Sequence, residues 1–126
     1  MISFAAFLFL IIFEMTMTLD EYRDFARTTA IYPESLTGQV PELMYLSLGL
    51  AGEAGEVANN VKKLYRDGDD QARRDKLAAE LGDVFWYLVR LTDALGLDPS
   101  AVVEANANKL ASRKSRGVLS GDGDQR

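Results

Sequence analysis

Cysteine and histidine are both absent from the 126 residues. Without cysteine there are no disulfides, thiolate nucleophiles or cysteine metal sites, and without histidine no imidazole serves as acid, base or ligand. Chemistry is left to carboxylate, amine, hydroxyl and amide groups. Basic residues are in deficit: 14 Lys and Arg against 19 Asp and Glu give a net charge of -5. That balance offers no broad attraction for duplex nucleic acid or an anionic membrane, so a polyanionic ligand must be met by a local site or a cation. What is present, 48% hydrophobic and 26% charged residues, is the composition of one globular domain with its own core, expected in the cytoplasm.

A bilayer-spanning run is also lacking. The apolar stretch Phe4 to Phe13 is ten residues, against roughly 20 for a membrane helix. It lies in a compositional outlier, residues 1–17, which holds four of the six Phe and three of the four Met. No basic segment or small-residue cleavage site accompanies it, so it does not read as a secretory signal. Met15 and Met17 stand where a more polar sequence begins. Residues 1–17 therefore read as a start-site artefact ahead of a domain of residues 18–126, the rival reading being an apolar anchor or partner-binding segment.

Thr18-Leu19-Asp20-Glu21 has the form of a capping box and predicts a helix from 19 to about 30. Tyr32-Pro33 and Thr37-Gly38 mark a loop. Leu46, Leu50, Val57, Val61 and Leu64 recur at helical spacings and predict a second helix from 41 or 42 to 65. Leu77, Leu81, Val84, Leu88, Leu91 and Leu95 form one apolar stripe over a third, about 71 to 95, which Gly96 closes. Asp98-Pro99 opens a fourth that runs to about 115. With no alternating strand pattern, the fold class is all-α, a four-helix-type bundle with short connections.

Two of these helices carry acid where a helix gains nothing from it. Glu53 and Glu56 on the second, and Glu80 and Asp83 on the third, are each spaced i, i+3, about 60° apart on one face. Glu53 falls close to the apolar stripe, with Asn60, Glu56 and Lys63 progressively to one side. No Lys or Arg follows any of the four at i+3 or i+4. Unpaired like charges cost several kcal/mol per ion once partly buried, so a cation must offset them. All-oxygen ligands suit Mg²⁺ or Mn²⁺, and a di-iron site is excluded because it needs histidine. Gly49, Gly52, Gly55 and Gly82 each cost roughly 1 kcal/mol of helix propensity, which fits a backbone or ligand approaching closely.

The segments Gly49-Leu50-Ala51-Gly52-Glu53-Ala54-Gly55-Glu56 and Glu80-Leu81-Gly82-Asp83 resemble the ExxE…ExxD signature of the MazG-like, all-α nucleoside triphosphate pyrophosphohydrolases. Asn106-Ala107-Asn108-Lys109-Leu110-Ala111-Ser112-Arg113 is similar to a further pattern of that family, and the closing Gly121-Asp122-Gly123-Asp124 to the glycine-aspartate tail of phage and bacterial members. The resemblance implies a helical homo-oligomer, dimer or tetramer, that converts a (deoxy)nucleoside triphosphate to the monophosphate and pyrophosphate with Mg²⁺. It implies that Glu53, Glu56, Glu80 and Asp83 hold metal, and that Asn60, Lys63, Asn106, Lys109 and Arg113 meet the substrate. Trp86, Tyr87 and Tyr32 are candidates for stacking on the base, or for core. Dipole compensation at a helix end is the competing account of Lys109 and Arg113. Several members carry a further glutamate where this chain has Gly52, which leaves the general base to Glu56, at the helix margin, or to Glu53, or leaves activation of the water to the metal alone. The alternative functions are a catalytically silent oligomer that senses Mg-nucleotide and a purely structural bundle.

Overall fold

The computed structural model describes residues 16–125; residues 1–15, to which most of the start-site reading refers, lie outside them. Four helices are found among the described residues: α1 (Leu19–Thr28), α2 (Val40–Asp67), α3 (Gln71–Ala94) and α4 (Pro99–Ser115). None is long and apolar enough to cross a membrane.

Local chemistry sets their ends. Thr18 and Glu21 form the expected capping box, with Glu21 N–H donating to Thr18 Oγ1 at 3.1 Å and Thr18 N–H to Glu21 Oε2 at 2.7 Å. The hydroxyl of Thr29 turns back to the Ala26 carbonyl, and α1 stops two residues short of the expected 30. Asp70 caps α3 through Arg73 N–H, and Asp98 caps α4 through Ser100 and Ala101 N–H. At Gly96 and Gly117, both with φ near +70°, paired bonds close the preceding helix: Leu97 N–H to Thr92 O with Gly96 N–H to Asp93 O, and Val118 N–H to Arg113 O with Gly117 N–H to Lys114 O. This is the Schellman arrangement, which glycine adopts without Cβ strain.

Helix α3 is the hub. It packs along α2 as an antiparallel hairpin joined by residues 68–70, and it also touches α1 and α4; α4 rests on α1 and α3 and makes no packing contact with α2. A hydrogen bond from Ser100 Oγ to Asp20 Oδ1 ties α4 to α1. The core sits at one end of the hairpin, where Ala30, Tyr32 and Leu46 are buried against Trp86, Tyr87, Leu91 and Ala94. The predicted apolar stripes are only partly covered. Leu46 is fully buried, but Val61, Leu81, Leu88 and Leu95 are 43–53% exposed, because three helices around α3 do not enclose it and α4 does not reach α2.

Candidate active site

Glu53 projects from the middle of α2 towards Glu80 and Asp83 on α3, and carboxylate oxygens of all three lie within 4.8 Å of one another. None of the ion pairs among the described residues involves them. Burial, then the charges of Asp83, Glu80 and Glu56, pushes the Glu53 carboxyl above its ordinary range. The same repulsion is what a bound cation would relieve. The site fits a hard metal ion by its donor set: three carboxylates, no soft ligand, no competing cation. Glu56, expected as the fourth ligand, is exposed and outside this cluster. One turn on, the buried Asn60 amide donates to the Glu56 carbonyl at 2.9 Å and to Glu80 Oε1 at 3.3 Å, orienting that carboxylate.

Beside the carboxylates a cavity of about 400 Å³ is lined by Phe25, Thr29, Glu53, Asp83, Trp86 and Tyr87. Trp86 and Tyr87 meet edge-on at 4.9 Å, and Trp86 Nε1 donates to Thr29 Oγ1 at 2.8 Å. Sequence reasoning missed Phe25 and Thr29, which come from α1 and its cap and share no spacing with the acidic motifs. Burial, and the charges of Tyr45, Glu53 and Asp83, raise the Tyr87 hydroxyl pKa. Tyr32, a stacking candidate, is instead buried behind this wall, its ring stacked on Tyr45 at 4.6 Å. Of the four helical glycines, only Gly49 is closely approached: a Cβ there would fall 2.1 Å from Tyr87 Cε1, whereas Gly52, Gly55 and Gly82 have nothing within 4 Å.

The basic residues are less assembled. Lys63 lies near enough to Asp67 to help lower its carboxyl pKa, after the hydrogen bond from Arg66. On α4, Asn106 and Lys109 line a separate shallow cavity with Val102 and Ala105. Lys109 Nζ and Arg113 Nη2 both bind Asp124 Oδ1, at 3.3 and 3.1 Å, and Arg113 Nη2 also donates to the Asp124 carbonyl. The chain's own acidic tail thus occupies the pair expected to hold phosphate, and no α4 residue lines the cavity beside Glu53.

By fold and site the protein is an all-helical domain, over its described residues, whose carboxylate cluster faces across a two-helix hairpin. Residues 42–118 match the MazG nucleotide pyrophosphohydrolase domain, and the chain belongs to that family. It is also similar to the Gene 37 protein of Mycobacterium phage L5, 49% identical over 118 residues that cover 87% of this chain and all of the relative. No solved structure matches it. Family membership implies nucleotide pyrophosphohydrolase activity in general.

Proposed function

We propose that the protein hydrolyses (deoxy)nucleoside triphosphates to the monophosphate and pyrophosphate in the presence of Mg²⁺ or Mn²⁺. The observation that supports it most is the convergence of Glu53, Glu80 and Asp83 beside a cavity walled by Trp86 and Tyr87. Glu53, Glu80 and Asp83, with Glu56 at the margin, would hold the ion. When bound, it would neutralise triphosphate charge and acidify a coordinated water. Glu56, exposed and not needed to close the cluster, takes the proton of the water whose oxygen attacks the α-phosphorus, with Glu53 the second candidate for that base. The bond to the bridging oxygen breaks and pyrophosphate leaves. Asn60 keeps the Glu80 carboxylate aligned, and Trp86 and Tyr87 stack on the base. Lys63, Asn106, Lys109 and Arg113 meet the polyphosphate, the last two by exchanging the Asp124 carboxylate for phosphate oxygens. The active domain is residues 18–126, and it works as a homo-oligomer.

Product analysis over a panel of dNTPs and NTPs tests this, comparing the wild-type chain with Glu56→Gln and Glu80→Gln. Monophosphate and pyrophosphate in equal amounts, lost about 100-fold or more in both variants, is the expected result. Equal activity in the variants would sink the site. Binding of Mg-nucleotide without turnover would turn the reading to the silent sensor.

A further inference from the structure

We propose that Tyr32, held by the buried Glu42–Arg90 ion pair, is a positioning residue that fixes the Trp86 ring in the cavity wall, so that this network governs nucleotide affinity and leaves the chemical step alone. The inference rests on the reading above, that the cavity takes a nucleotide.

Glu42 and Arg90 are 0% and 1% exposed and meet at 3.0 Å. Sealing two charges from water costs several kcal/mol per ion before their attraction is counted, and well-packed apolar residues often hold helices together equally well. What an ion pair adds is direction. Glu42 accepts from Tyr32 Oη at 2.6 Å, Leu36 N–H at 2.8 Å and Gly38 N–H at 2.7 Å. Arg90 also reaches Tyr32 Oη, and Asp93, which in turn binds Arg27. Between these anchors the chain passes through left-handed backbone at two non-glycine residues, Glu34 (φ 61°) and Leu36 (φ 63°). Each such residue is unfavourable on its own and persists only where its surroundings enforce it.

The enforced loop delivers one side chain, Tyr32. Its ring stacks on Tyr45 at 4.6 Å and meets Trp86 edge-on at 6.1 Å; Trp86 meets Tyr87, and Tyr87 meets Tyr45 at 6.5 Å, closing a ring of four aromatics. Only Trp86 and Tyr87 of the four line the cavity. Trp86 is therefore held from behind by the Tyr32 ring and at its N–H by Thr29. A stacking surface fixed in advance need not be ordered when the base arrives, which strengthens binding. None of Glu42, Arg90 and Tyr32 touches the three carboxylates, so the rate of phosphoryl cleavage has no reason to follow them.

Trp86 is the one tryptophan of the chain, so its fluorescence reports the cavity wall directly. The test uses the full chain, with Tyr32→Phe removing only the hydroxyl and Thr29→Val removing the Trp86 acceptor while sparing the buried pair. Turnover gives KM and kcat, and Trp86 fluorescence titrated with an α,β-methylene triphosphate analogue and Mg²⁺ gives Kd. In both variants KM and Kd should rise together, roughly three- to tenfold, the scale of one lost hydrogen bond, with kcat within about twofold. The double variant should fall short of the product of the two, because both act on one ring. Unchanged KM and Kd would overturn the inference. So would a fall in kcat that tracks a lowered melting temperature, the mark of a merely structural role. Should Tyr32→Phe not fold, Arg90→Lys, which keeps the buried positive charge but loses the guanidinium bonds to Tyr32 Oη, decides by the same criterion. Wild-type turnover is measured first: its absence defeats the proposed function and this inference with it, whereas active wild type with unshifted variants defeats only the positioning role.

Discussion

At Gly49 two local preferences oppose each other. Helix propensity favours alanine over glycine by about 1 kcal/mol in a helix interior. Packing forbids it, because the added methyl would lie 2.1 Å from Cε1 and 2.5 Å from Cζ of Tyr87. That ring is not a loose end that can swing away; it is confined by Trp86 on one side and Tyr45 on the other. Overpacking of this kind costs about 1–3 kcal/mol and outweighs the propensity gain. Gly49→Ala should therefore lower the melting temperature. Gly52→Ala, with nothing within 4 Å of its Cβ, should hold or raise it. Scanning calorimetry on the two variants decides: equal stability would mean that Tyr87 yields freely. The glycines look alike in the sequence, and only the position of Tyr87 separates them.

Elements were legible where their causes are local. The capping box at Thr18, the glycine stop at Gly96 and the Asp98-Pro99 start each act within a few residues, and each lies where the sequence places it. The Glu80–Asp83 pair was legible for a related reason, that residues three apart on a helix share a face whatever the tertiary fold, but the same spacing did not bring Glu56 into the cluster with Glu53. The loop of residues 31–39 was marked by Tyr32-Pro33 and Thr37-Gly38, but its anchoring was not legible, since its organiser Glu42 finds Arg90 from 48 positions away. A faint signal existed, for Arg90 follows Asp83 by seven residues and so continues the margin of α3 that carries Glu80, Asp83 and Tyr87. Nor did the sequence reveal that Asp124 would fold back onto Lys109 and Arg113. The loop has its own pH signature. Burial alone would raise the Glu42 carboxyl pKa, but hydrogen bonds from Tyr32, Gly38, Leu36 and Arg90 outweigh it and bring the value down from 4.5 to about 2. A carboxyl depressed on folding contributes stability that is complete above its unfolded pKa and is lost as pH falls through the folded one. The window is therefore about pH 4.5 to 2, and the contribution is on the order of 3 kcal/mol. Urea unfolding through that range should show this loss, and Glu42→Gln should flatten the slope while costing about 3–5 kcal/mol near neutrality. An acid slope unchanged in Glu42→Gln would assign the loss to other carboxylates.

For the molecule as a whole, the uncovered apolar surface is the fact to explain. Val40, Met44 and Leu48 follow one another at i, i+4, i+8 along α2 and are 60–71% exposed. With Leu43 and Ser47 they line a groove. On α3, Leu81 and Leu88 of the predicted apolar stripe, and Phe85 beside them, are 43–55% exposed. A lone protomer would present both rows to water, an exposure that marks an interaction surface more often than a free one. The stripe prediction and the exposure would agree if a second copy of the chain covered both rows, as the proposed homo-oligomer requires. Sedimentation equilibrium should accordingly give at least twice the chain mass, and the melting temperature should rise with protein concentration, as mass action requires of a stabilising association. Leu48→Lys places an unpaired charge in the α2 row, and should shift the population towards monomer and remove the concentration dependence. A monomeric wild type, with a melting temperature indifferent to concentration, would leave these rows without a self-partner and break the link between stripe and assembly.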